Sequence, residues 1–204
     1  MVALLMIRVE YCKPESKLLG SVLMLCLASC AALPKTASLP QVYLTDRARY
    51  QLLPPVAIEK PLDCAQQIRG TWGGDEFVMQ AWVTAGTAGI DIEFYNGFGT
   101  AMGNVSFNNE GVFFDSPVFP RSFRGEYLAA DFQFCFYRAA ALTAALKKCS
   151  LVFESFHQTD DGKNASVRRI LDGDNVIIEI VTKGKTVQYT NFLRGYSFVL
   201  TEAE

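Results

Sequence analysis

From Cys64 onward apolar residues recur at every second position, and that rhythm commits most of the chain to strands with one buried and one wet face. Ile90-Asp91-Ile92-Glu93-Phe94 shows it most cleanly, with large apolar side chains alternating with carboxylates. Similar runs occupy residues 103–108, 151–156, 167–171, 176–181, 187–192 and 196–201. Between them stand turn formers: Trp72-Gly73-Gly74-Asp75, Asn109-Glu110-Gly111, Asp160-Asp161-Gly162, Asp172-Gly173-Asp174-Asn175 and Lys183-Gly184-Lys185. Such residues supply the positive φ or the local side-chain bonds that hairpins need. The pattern predicts about five strands, an interruption, and about five more. The interruption is helical. Residues 123–134 allow a turn or two, and 139–148 are almost all strong helix formers, with Leu142 and Leu146 on one face and two lysines in the last turn. One antiparallel sheet of about ten strands with so little helix will curl over its insert.

The N-terminus carries a different signal. Lys13 and Lys17 precede an uncharged run, 18–27, which is too short to span a bilayer core of about 30 Å. Leu27-Ala28-Ser29-Cys30 follows, and it resembles the lipobox of bacterial lipoproteins: a branched apolar residue, two small ones and an obligatory cysteine. The resemblance implies a signal peptide over 1–29 and a diacylglycerol on Cys30. With Ala31 rather than Asp after the cysteine, it also implies a place on the periplasmic face of the outer membrane. Removing the first 29 of 204 residues leaves 175, enough for one domain with a sizeable core. That part holds 16 basic and 19 acidic residues, so nothing in it offers nucleic acid a basic patch. Pro34, Pro40, Pro54, Pro55 and Pro61 exclude a long helix between residues 31 and 61. We read 30–49 as a lipidated tether and 50–204 as the domain. Cys64, Cys135 and Cys149 remain, as one disulfide plus a thiol or as free thiols.

Catalytic patterns are weak. His157 is the lone histidine, near Ser155 and Cys149 but with no Gly-x-Ser-x-Gly elbow, and it reads as a solvated strand-end residue. Cysteines 71 and 14 residues apart with one histidine match no metal spacing. Asp91 and Glu93 share a strand face and read as solvated; the glycine-rich stretches join strands and do not open a helix, so no phosphate cradle forms. We expect no enzyme, no cofactor and no metal.

The run 50–55, the hairpins to Asp115, the helical pair 128–148 and the ending Asn191-Phe192-Leu193-Arg194-Gly195-Tyr196 resemble the bacterial lipoproteins grouped as domain of unknown function 3261. Members often belong to gene clusters for aryl-polyene pigments, and the family in turn is similar to LolA and LolB, the carrier and outer-membrane receptor of lipoproteins. The resemblance covers roughly residues 50–201. It departs where the family often has an aromatic-proline pair before the second helix; here the residues are Phe136-Tyr137-Arg138. It implies a mainly β, α+β fold: a single curved antiparallel sheet forming a half-open LolA/LolB-like barrel, lidded by one or two short helices and holding acyl chains.

Fifteen Phe, eight Tyr and two Trp suit such a cavity. Its expected walls are the apolar members of alternating strands: Phe77, Met79, Ile90, Ile92, Phe94, Phe107, Ile178, Ile180 and Phe198. The adjacent Arg168 and Arg169 must send one side chain inward, to a partner, a polar ligand head or, as we favour, the rim. Phe98, between Gly97 and Gly99, by position resembles the projecting apolar loop residue of LolB-type receptors; otherwise it folds back as core. The function implied is an anchored, monomeric lipoprotein that binds or transfers a lipid, an acyl chain or an aryl-polyene-type molecule. The alternative is a non-catalytic envelope protein with a filled core and a protein partner.

Overall fold

The computed structural model describes residues 38–119, 123–160 and 163–203. The chain opens with a small hairpin, β1 (Gln41–Tyr43) and β2 (Arg49–Gln51), and a 3-10 turn at Pro55–Ala57. Five strands follow: β3 (Leu62–Trp72), β4 (Asp75–Ala85), β5 (Ile90–Tyr95), β6 (Ala101–Asn108) and β7 (Gly111–Asp115). Helices α1 (Gly125–Phe136) and α2 (Ala139–Lys147) interrupt. Then come β8 (Val152–Asp160), β9 (Lys163–Asp172), β10 (Asn175–Lys183), β11 (Thr186–Asn191) and β12 (Tyr196–Glu202).

β3 to β12 make one antiparallel sheet in the order β7-β6-β5-β4-β3-β12-β11-β10-β9-β8. Every neighbouring pair is a hairpin except β3 with β12, whose register runs from Trp72 opposite Tyr196 to Gln66 opposite Glu202. That one long-range pair joins the two groups of five. Among the described residues the edge strands β7 and β8 do not pair with each other, so the sheet stays open and no barrel closes. One face is wet, with Glu76, Gln80, Trp82, Asp91 and Glu93 exposed; the other meets the helices.

The boundary expected at residue 50 lies too late. The folded unit begins at Ser38, and Val42, Leu44 and Ala48 belong to the core. Val42 pairs with Tyr50 across the hairpin and both are buried, so residues 38–49 are domain rather than tether. The prolines around this stretch mask a strand of three residues. Ser38–Glu204 form one compact unit with a core inside it.

Polar side chains pin α1 on two sides. Gln133 is fully buried; its Oε1 accepts from the Tyr50 hydroxyl at 2.7 Å and the Leu53 amide at 2.9 Å, while its Nε2 donates to the Leu53 carbonyl at 2.9 Å. Arg168, expected at the rim, turns inward instead. Its Nη1 donates to the carbonyls of Phe134, Cys135 and Tyr137 at 3.1, 3.0 and 2.8 Å, and its Nη2 meets Glu59 at 2.7 Å. A cation among the free carbonyls of a helix C-terminus is favourable by hydrogen bonding and by the dipole together. Arg169 faces outward, pairs with Glu179 at 2.7 Å and lies over the Phe156 ring.

After α1 the backbone extends at Tyr137, and Arg138 donates its N–H to Ala57 and its guanidinium to Val56. Arg138 has φ −59°, a backbone that proline would also accept. The departure from an aromatic-proline pair therefore keeps the backbone and adds a donor. Leu142 and Leu146 of α2 are both fully buried, as their spacing implies. Cys64, Cys135 and Cys149 are free thiols, and desolvation pushes the buried Cys135 thiol far above its ordinary range.

Candidate functional site

The alternation on β4 sends Phe77, Met79, Ala81 and Val83 to the inner face, and register places Ile92 and Phe94 of β5 beside Val83 and Ala81. On the other flank β3 contributes Ile68 and Gln66, and β12 contributes Tyr196, Phe198 and Leu200. Gly70 sits between. A Cβ there would lie 2.6 Å from the Phe77 ring, so the missing side chain lets that ring approach β3. Opposite the sheet, α1 presents a stripe at helical spacing: Arg124, Tyr127, Leu128, Asp131, Phe132, Cys135 and Phe136. Between sheet and stripe lies a cavity of about 680 Å³, with Met102, Val118, Phe119 and Phe123 also in its lining. Its volume falls within the roughly 300–1,000 Å³ of small-molecule sites, and its wall is mostly apolar.

Aromatic rings follow one another around this cavity. Phe94 meets Phe119 at 5.9 Å, Phe119 stacks on Phe123 at 5.0 Å, and Phe123 meets Trp72 at 5.3 Å. Trp72 reaches Tyr196 at 6.3 Å, Tyr196 stacks on Tyr189 at 5.9 Å, and Tyr189 on Phe198 at 4.6 Å. Such contacts add about 0.5–1.5 kcal/mol per pair beyond area burial, which holds the wall in shape without filling the space.

One charged group is sunk in this wall. Asp131 is 8% exposed and accepts from Tyr189 at 2.5 Å and Tyr196 at 2.6 Å. Desolvation raises its carboxyl from 3.8 to about 6; the two tyrosine hydroxyls and the Arg194 charge pull the other way and lose. Arg194 lies over the Tyr127 ring at 4.1 Å and donates to the Tyr43 carbonyl at 2.7 Å.

Of the nine expected wall residues, Phe77, Met79, Ile92, Phe94 and Phe198 line the cavity. Ile90, Phe107, Ile178 and Ile180 do not: they are 3% exposed or less and belong to the solid core with Phe134, Leu142 and Leu146. The inner face is the right one, but only part of it is left uncovered. Phe98 is 96% exposed. The Asn96 side chain accepts from the amides of Phe98 and Thr100, both at 2.9 Å, and this tight loop projects the ring instead of folding it back. His157 is exposed on β8, and Asp91 and Glu93 face solvent on β5. Cys30 lies outside the described residues. The expected set lacks Asp131, Tyr127 and Leu128, which a helical-wheel reading of 124–136 would have grouped, and Trp72 and Phe123, which lie at turns.

The sequence from 63 to 204 matches the family described as "Protein of unknown function (DUF3261)". The chain belongs to that family. The match begins at the second residue of β3 and so takes in all but the first residue of the ten-stranded sheet, both helices and the whole cavity wall of this DUF3261 chain. Among curated proteins, none matches.

Proposed function

We propose that this chain is an outer-membrane lipoprotein, anchored through Cys30, that binds or transfers a hydrophobic ligand held between the sheet and α1. The open sheet around its helices then acts as a half-open barrel of the LolA/LolB kind. The observation that carries the reading is the apolar cavity of about 680 Å³, since a protein with a filled core has no need of one. Suitable ligands are a lipid, a lipoprotein acyl chain or an aryl-polyene-type molecule, and the domain works without catalysis.

Binding of the fluorescent probe N-phenylnaphthylamine to residues 38–204, with displacement by palmitate, is the expected result. Met79→Arg places a charge in the apolar wall and is expected to weaken binding about tenfold or more while the melting temperature stays close to wild type. A domain that takes up neither probe nor fatty acid would overturn the reading. Anchoring is tested separately: radioactive palmitate fed to cells is expected to label the wild type and leave Cys30→Ser unlabelled, and label on the variant would remove the anchor.

A further inference from the structure

Trp72 and Val118 belong both to the cavity wall and to the outer surface, at 54% and 56% exposed, and so mark the cavity's mouth. β3 ends and β12 begins there, Trp72 opposite Tyr196, and Asn191 opposite Tyr196 brings the turn 192–195 to the same end. That turn holds Phe192 and Leu193, 56% and 55% exposed, followed by Arg194, which lines the mouth. Scattered exposed apolar residues need no explanation, but four large ones at one opening do. Among the described residues, charges close by include Arg124 paired with Glu126 at 3.3 Å, Asp75 and Glu76 at the start of β4, and Asp131 behind its tyrosines. Arg194 spends one donor on Tyr43, lies over Tyr127 and lines the cavity.

We infer that this mouth docks on a phospholipid bilayer, with Trp72, Phe192, Leu193 and Val118 entering the interfacial layer and Arg194 meeting lipid phosphate. The inference rests on the proposed ligand, which must come from and return to an apolar phase through this opening. Indole, phenyl and arginine on separate turns are the groups that settle where hydrocarbon meets headgroups. Phe98, 96% exposed, does not line the cavity but lies at the same end of the sheet. β5 runs from Ile90 opposite Ala85 to Tyr95 opposite Gln80, so the loop that carries Phe98 points toward the Asp75 end of β4, the end that holds Trp72.

The test is co-sedimentation of residues 38–204 with vesicles of phosphatidylethanolamine and phosphatidylglycerol. Phe192→Ser with Leu193→Ser is expected to lower the partition coefficient about tenfold, and Arg194→Gln severalfold. In Trp82→Phe, Trp72 is the only indole, and its emission is expected to shift blue and be quenched by brominated lipid. No vesicle binding, or binding unchanged in the double variant, would overturn the inference. Self-association without vesicles, abolished by the double variant, would overturn it in favour of a second copy. Uptake of the naphthylamine probe by a domain that ignores vesicles would remove this inference alone; vesicle binding without probe uptake would remove the cavity reading.

Discussion

Arg168→Ala is expected to destabilise the domain by about 3–5 kcal/mol, the largest effect of any single substitution discussed for this chain. The guanidinium is the donor to three carbonyls at the end of α1 and the partner of Glu59, and its side chain is 12% exposed. Truncation leaves those carbonyls facing an apolar interior with no donor, and each orphan costs about 1–3 kcal/mol. In a domain of this size the loss lowers the melting temperature by roughly 10 °C. Glu59 is half exposed and finds water, so Glu59→Gln is expected to cost well under 1 kcal/mol. Arg168→Lys is expected to restore only part of the stability, because one ammonium cannot reach both the carbonyls and Glu59. Thermal or urea unfolding of the three variants checks the order. An Arg168→Ala domain as stable as wild type would show that the helix end is held by something else.

The second large effect belongs to Asp131 and depends on pH. Its carboxyl titrates at about 6 in the folded domain, against 3.8 ordinarily, because burial disfavours its charged form. A raised value means the folded state holds the proton more tightly than the unfolded chain. The associated stability is fully present below pH 3.8 and is lost as pH rises through about 6. The difference corresponds to about 3 kcal/mol. Asp131→Asn cannot ionise, so the stability of wild type relative to the variant is expected to fall by about 2.5 kcal/mol between pH 4 and pH 8. Taking the difference cancels the surface carboxylates that both proteins share. Urea unfolding across that range measures it, and a difference independent of pH would show that Asp131 is not a buried charge. The same group borders the cavity, so ligand that displaces water from the wall is expected to raise its titration further.

The alternation in Ile90–Phe94 named the buried face of β5 because side-chain direction in a strand is a local property of period two. The same reasoning separated ten strands into two groups and put Leu142 and Leu146 on the buried side of α2, again from spacing alone. Hairpins followed from their turn residues for the same reason. The site was less legible. Ile90 and Ile92 alternate identically, yet only Ile92 borders the cavity, since what covers a face depends on where α1 crosses it and not on the strand. Short elements also escaped: β1 has three residues, too few to show a period among prolines.

What sequence by itself determined here is the longer strands, the two helices and which of their residues turn inward, all written within windows of about ten residues. What only the tertiary structure decided is every bond that crosses the chain. Asp131 finds Tyr189 and Tyr196 at separations of 58 and 65 residues, and β3 finds β12 across the whole domain. Those contacts choose which part of the inner face is packed and which is left hollow. No local window contains them, because their geometry exists only after the two halves of the sheet have met.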